Sequence, residues 1–211
     1  MTKRIILLFA VAFAALAASA QGDKDLTRYL AKDAVPVVNG YVQFDTTVSA
    51  PGKTKAQLFT ALKNYVQTAL VEGAEHLPQA RITEADSLEG VVAASMEEYL
   101  YFKRSKWATH RVRFFYQLVC TVKDGEYSLM MRNLHYRYVA EEAPGNYDED
   151  LRAEQMITDK EALAKKGTKL TRIGGKFRRH TIDRKDGIFA GAAKAAGVAK
   201  KKYKTVVVEE D

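Results

Sequence analysis

Two arginines, Arg111 and Arg113, open one apolar run, and Arg132, Tyr136 and Tyr138 close the run that follows it. Guanidinium groups grip carboxylates and phosphates through paired N–H donors, and tyrosine adds rigid contact area. The chemistry on offer is recognition of an anion. The two runs, 111–123 and 126–139, are separated only by Asp124-Gly125, which suits the two-residue type I′ turn of a hairpin. Such a turn pairs Lys123 with Glu126 and holds the sum of paired residue numbers at 249, placing Arg113 opposite Tyr136 and Arg111 opposite Tyr138. One face then carries Phe114, Tyr116, Leu118, Cys120, Val122, Tyr127, Leu129 and Met131, which is core. The other carries Phe115, Gln117, Leu134, Arg132 and the Arg/Tyr pairs. It reads in two ways: as a surface stabilised by cation–π pairs worth roughly 0.5 to 1 kcal/mol each, or as a binding platform.

Other chemistries find little support in the sequence. His76, His110, His135 and His180 are scattered, with no spacing that sets two metal ligands on one helical face. No Gly-x-Ser-x-Gly elbow presents a nucleophile. Glu97-Glu98 cannot be a facing pair of acids, because adjacent strand residues point to opposite faces. Gly174-Gly175 and Gly187 to Gly191 lack the spacing of a phosphate-cradling loop and read as turn and helix-packing glycines. Asp148-Glu149-Asp150 lacks the alternating oxygen ligands of a calcium loop. Cys120 is the single cysteine, so no intramolecular disulfide forms, and within an apolar run it reads as a small buried hydrophobe. The expectation is therefore no catalytic residue, no metal and no cofactor.

Several elements must position the arginine face. Pro36 introduces an alternating strand over 37–49, Pro51-Gly52 turns it, and Thr54-Lys55-Ala56-Gln57 has capping-box spacing ahead of a helix through Leu70. Residues 80–84 and 90–102 read as a short and a long strand, the latter with Met96, Leu100 and Phe102 on one side. Thr158 to Glu161 repeats the capping-box pattern, and a last helix is expected from Asp183 to Ala196, stopped by Gly197. The stretch 147–155 reads as either a loop or a helix. Strand, helix, several antiparallel strands and a final helix make an α+β layer: an antiparallel sheet of about five strands with helices on one face.

The 211 residues, 47% hydrophobic and 28% charged, suit one folded domain and exclude a disordered or collagenous chain. Thr2-Lys3-Arg4, the apolar run from Ile5 to Ala17 and Ala18-Ser19-Ala20 have the three parts of a signal peptide, with cleavage between Ala20 and Gln21. The uncharged stretch is shorter than the roughly 20 residues a bilayer span needs, so no stable span is expected after cleavage. Gln21 is not the cysteine a lipoprotein requires. The organisation expected is a signal peptide over 1–20, a lead-in over 21–36, one α+β domain over 37–197 and a charged tail over 198–211. Losing Lys3 and Arg4 from 33 bases leaves 31 against 26 acids, a balance of +5 concentrated in 169–185 and 200–204. For an exported chain that excess reads as a solvated face, with no nucleic acid as partner.

The run Val37-Val38-Asn39-Gly40-Tyr41-Val42-Gln43-Phe44, the following Pro51-Gly52-Lys53-Thr54-Lys55, the turn Lys123-Asp124-Gly125-Glu126-Tyr127, and Ile157-Thr158-Asp159 resemble the secreted bacterial domains of unknown function described as TBP-like. The resemblance spans roughly Val37 to Asp159 and implies a TBP-like fold and an exported address, without an activity. The likeness is one of shape and implies no DNA binding. The function expected is a periplasmic or secreted, non-enzymatic domain that holds an anionic ligand or partner protein of the envelope on its open sheet face. The alternative is an envelope hydrolase whose site is assembled from distant segments.

Overall fold

Apolar residues recur at alternate positions along 92–102, 112–122, 127–131 and 134–138, and that period dictates a sheet with one buried face. In the computed structural model, which describes residues 26–104, 109–139 and 150–198, five antiparallel strands follow from it. They are β1 (Phe44–Ser49), β2 (Arg81–Asp86), β3 (Val91–Arg104), β4 (Thr109–Lys123) and β5 (Glu126–Tyr138), in the spatial order β1-β5-β4-β3-β2. A two-residue strand, Leu151–Arg152, adds to β5 at His135 and Tyr136. The leader, its cleavage point at Ala20 and Gln21, and most of the tail lie outside the described residues.

Two helices cover one face. The first, α1 (Lys55–Tyr65), starts with the expected capping box: Thr54 Oγ1 accepts from the Gln57 N–H, and Gln57 Oε1 accepts from the Thr54 N–H. It widens into a π-helical turn over Val66–Val71. Leu58, Leu62 and Val66 are buried against Met96, Leu118, Leu129 and the rest of one continuous apolar core. Each large side chain removed from water there contributes roughly 1.5 to 3 kcal/mol. The second, α2 (Gly174–Ala195), begins nine residues before the expected Asp183, and Gly197 ends it at φ 70°. The sequence misleads here because glycines are poor helix formers in isolation, whereas tertiary packing demands them. A Cβ at Gly174 would fall 2.6 Å from the Met156 carbonyl oxygen, and one at Gly191 would fall 2.7 Å from Tyr65 Cζ.

Three other expectations are corrected. The single strand over 37–49 breaks at Asn39-Gly40, where both residues take positive φ (51° and 84°), so Val37–Val38 pairs with Tyr41–Val42 in a separate small hairpin. The polar lead-in is anchored: residues 26–30 form a helical turn, and Tyr29 is buried. Thr158 does not close a capping box, because its hydroxyl donates to the Glu154 carbonyl ahead of a one-turn helix, Asp159–Ala162.

The β4–β5 turn also departs from its expected type. Gly125 has φ 71° while Asp124 stays out of the left-handed region, which is the type II pattern and not type I′. Tertiary bonds select it. Asp124 Oδ1 accepts the Lys55 N–H at 2.7 Å in the first turn of α1, and the Gly125 N–H donates to the Lys53 carbonyl at 2.8 Å. A Cβ added at Gly125 meets nothing within 4 Å, so substitution there tests the backbone alone. Gly125→Val is expected to destabilise by about 1 to 2 kcal/mol and Gly125→Asn by less. Thermal unfolding measures this; equal midpoints for Val and Gly would refute a left-handed residue at the turn.

Candidate functional site

The face of the sheet turned away from α1 and α2 carries no helix among the described residues, and its geometry depends on one irregularity. From Lys123↔Glu126 to Gln117↔Arg132 the β4–β5 register follows the sum of 249. The next pair is Phe115↔His135, so Asn133 and Leu134 together sit opposite Tyr116. Asn133 absorbs the extra residue with φ 55°, which asparagine tolerates better than most side chains. Beyond this bulge every β5 side chain changes face.

Tyr136 and Tyr138 are therefore not on the platform, and the expected pairs of Arg113 with Tyr136 and Arg111 with Tyr138 do not form. Tyr136 is fully buried under α2, its hydroxyl 2.7 Å from Thr181 Oγ1 and its ring stacked on Phe114 at 5.2 Å. Burial pushes its phenol pKa up. Tyr138 packs near Phe177, with ring centroids 6.3 Å apart. His135 and Arg137 take their places on the open face, and Arg113 pairs with Arg137. Like charges directly opposite one another are destabilising, so each guanidinium is matched by its own carboxylate.

Arg113 donates from Nε to Glu97 Oε1 at 2.6 Å, and its Nη2 binds the same oxygen. Glu97 is 3% exposed although it faces the open side, because Arg113 covers it. Arg137 donates to Asp150 Oδ1 from Nε and Nη2 at 3.0 and 2.9 Å. Both guanidiniums flank Phe115, at 5.6 and 5.5 Å from its ring centre, and His135 stacks on that ring at 4.5 Å and 2°. On the β3 side Arg111 lies 3.9 Å over Tyr99 and Arg104 lies 4.6 Å over Tyr101. Next to the bulge, Arg132 Nε and Asn133 Nδ2 both donate to Gln117 Oε1, at 3.3 and 2.9 Å. Of the expected site residues, Arg111, Arg113 and Arg132 share the face. Tyr99, Tyr101, Phe115, His135 and Arg137 complete it.

This arrangement holds guanidinium groups in fixed positions beside aromatic rings. Three groups with acid–base or nucleophilic chemistry, Glu98, Tyr116 and Cys120, are engaged elsewhere. Glu98 points to the helices, where Arg184 grips it from Nε and Nη2 at 2.7 and 2.6 Å. The neighbouring Tyr116 phenol is held well above its ordinary pKa by burial, reinforced by the Glu98 charge. Burial pushes the Cys120 thiol up to about 12, so it is not a thiolate near neutral pH. Among the described residues no three His, Cys, Asp or Glu side chains gather as metal ligands.

The helix-backed antiparallel sheet is an α+β fold of the TBP-like type. Residues 44–137, from β1 into β5, match the profile of a domain of unknown function, DUF4468, with TBP-like fold. The chain is similar to a crystallised DUF4468 family protein from Bacteroides ovatus, with 33% identity and a TM-score of 0.72 over 84% of this chain and 98% of that one. It belongs to the DUF4468 family. A TBP-like protein from Parabacteroides distasonis shares the fold at 18% identity, with a TM-score of 0.63 over 79% of this chain and 99% of that one. A search of curated proteins returned no match.

Proposed function

We propose that the protein is an exported, non-enzymatic binding domain whose open sheet face holds an anionic ligand or partner protein of the cell envelope. The observation that carries this reading is the guanidinium and aromatic lattice around Phe115, in which carboxylates and rings fix the cations before any ligand arrives. Preorganised donors lose little entropy on binding. Export rests on the Lys3-Arg4, Ile5 to Ala17 and Ala18-Ser19-Ala20 pattern, which places the mature start at Gln21.

Arg113 is a poor probe of this reading, because its removal strands the Glu97 carboxylate. Arg111 and Arg132 are better, since glutamine keeps much of their length on a solvated face. The double variant Arg111→Gln/Arg132→Gln is expected to change stability by no more than about 1 kcal/mol. It should bind envelope extract at least tenfold more weakly by isothermal titration, because each charge-assisted bond lost contributes about 1.5 to 3 kcal/mol. Wild-type affinity in the folded variant would refute the reading.

A further inference from the structure

A second charged surface lies on the helix side of the sheet, in the knob that precedes and begins α2. Between residues 160 and 179 seven bases are exposed, namely Lys160, Lys165, Lys166, Lys169, Arg172, Lys176 and Arg179, against a single acid, Glu161. The segment is one compact unit. Leu163–Ala164 pairs with Lys169–Leu170, the Thr171 N–H donates to the Ala162 carbonyl, and Leu170 packs on Gly175 at the start of α2. Ile173 stands among these bases with 60% of its surface exposed.

Two features of the knob work against folding stability. Lys165 and Lys166 are consecutive non-glycine residues at positive φ, 50° and 57°, where asparagine or glycine would be less strained. Arg172 and Lys176 flank the start of α2, whose first turn contains no acid, although the positive end of a helix favours anions. Basic residues kept where they cost stability point to a use for their charge. A polyanion in solution would be served by charge alone. An exposed isoleucine among lysines also fits the boundary between headgroups and acyl chains, where charge attracts and one apolar side chain enters.

We propose that this knob docks the protein on an anionic phospholipid surface, with Lys165, Lys166, Lys169, Arg172 and Lys176 at the headgroup phosphates and Ile173 inserted between them. The test is co-sedimentation of protein lacking residues 1–20 with phosphatidylcholine vesicles that do or do not contain phosphatidylglycerol, with soluble polyphosphate as a competing probe. Wild type should pellet only with phosphatidylglycerol present, and added salt should weaken it. Lys165→Asn/Lys166→Gly suits the turn better, so its melting temperature should rise while vesicle affinity falls on the order of tenfold or more. Ile173→Ser should weaken vesicle binding and leave polyphosphate binding unchanged. The proposal is overturned if the turn variant pellets like wild type, if it loses stability together with binding, or if wild type prefers polyphosphate and ignores vesicles.

Discussion

Deletion of Asn133 is expected to leave the protein folded, although it removes a residue from the middle of a long core strand. The tolerance follows from sheet parity. Without the bulge Leu134 falls directly opposite Tyr116 and the pairs Phe115↔His135 and Phe114↔Tyr136 are kept, so Leu134, Tyr136 and Tyr138 stay on the core face and His135 and Arg137 on the open face. Leu134 and Tyr136 are 2% and 0% exposed. A flip of the strand that lost two such side chains from the core would remove roughly 3 to 6 kcal/mol out of a total stability of about 5 to 15 kcal/mol, and the deletion avoids that loss. What it removes is the local bend and one residue at positive φ. Asn133→Gly keeps the bulge and its left-handed φ, so it should stay folded as well. Circular dichroism and gel filtration of the two variants decide the matter; an unfolded deletion variant would refute the parity argument.

Part of this was readable in the residues. The hairpin was legible because apolar positions alternate on both sides of a two-residue turn signal. A signal for the bulge was present but missed: apolar residues fall on odd numbers at Tyr127, Leu129 and Met131 and on even numbers at Leu134, Tyr136 and Tyr138, with an asparagine at the change. A register extended blindly at 249 passes over that shift. The partners of the arginines were not legible. Glu97 and Tyr99 meet Arg113 and Arg111 only once β3 and β4 are in register, and the sequence between those strands carries no two-residue turn signal to fix it. The early start of α2 was hidden by Gly174-Gly175, whose value appears only against Met156 and Leu170.

Arg178→Met is expected to be the most damaging single substitution on the helix side. Arg178 is fully buried, a placement that charge patterning along 176–179 does not reveal. Its Nε donates to the Tyr29 carbonyl at 2.7 Å, Nη1 to the Ile157 carbonyl at 2.9 Å, and Nη2 to the Ala31 carbonyl at 3.1 Å. Nη1 also pairs with Asp159 Oδ1 at 2.7 Å. One guanidinium thus ties the segment at 26–34 and the turn at 157–159 to α2. Methionine keeps the apolar stem but leaves three carbonyls and a carboxylate without their donor, at about 3 to 5 kcal/mol. Denaturant unfolding should show a midpoint lowered accordingly, with the slope little changed. A loss below about 1 kcal/mol would show that water replaces the guanidinium and that the segment is held by Tyr29 alone.

The proposed function locates binding on the open sheet face, at the guanidinium and aromatic lattice. Backbone amide chemical shifts of the protein, followed during titration with solubilised envelope extract, test it most directly. Saturable shifts at Tyr99, Arg111, Phe115, Arg132, His135 and Arg137, lost at those positions in Arg111→Gln/Arg132→Gln of unchanged melting temperature, are the predicted result. Saturable shifts confined to the Lys165 to Lys176 knob or to the helix face, with the open face unmoved, would contradict it.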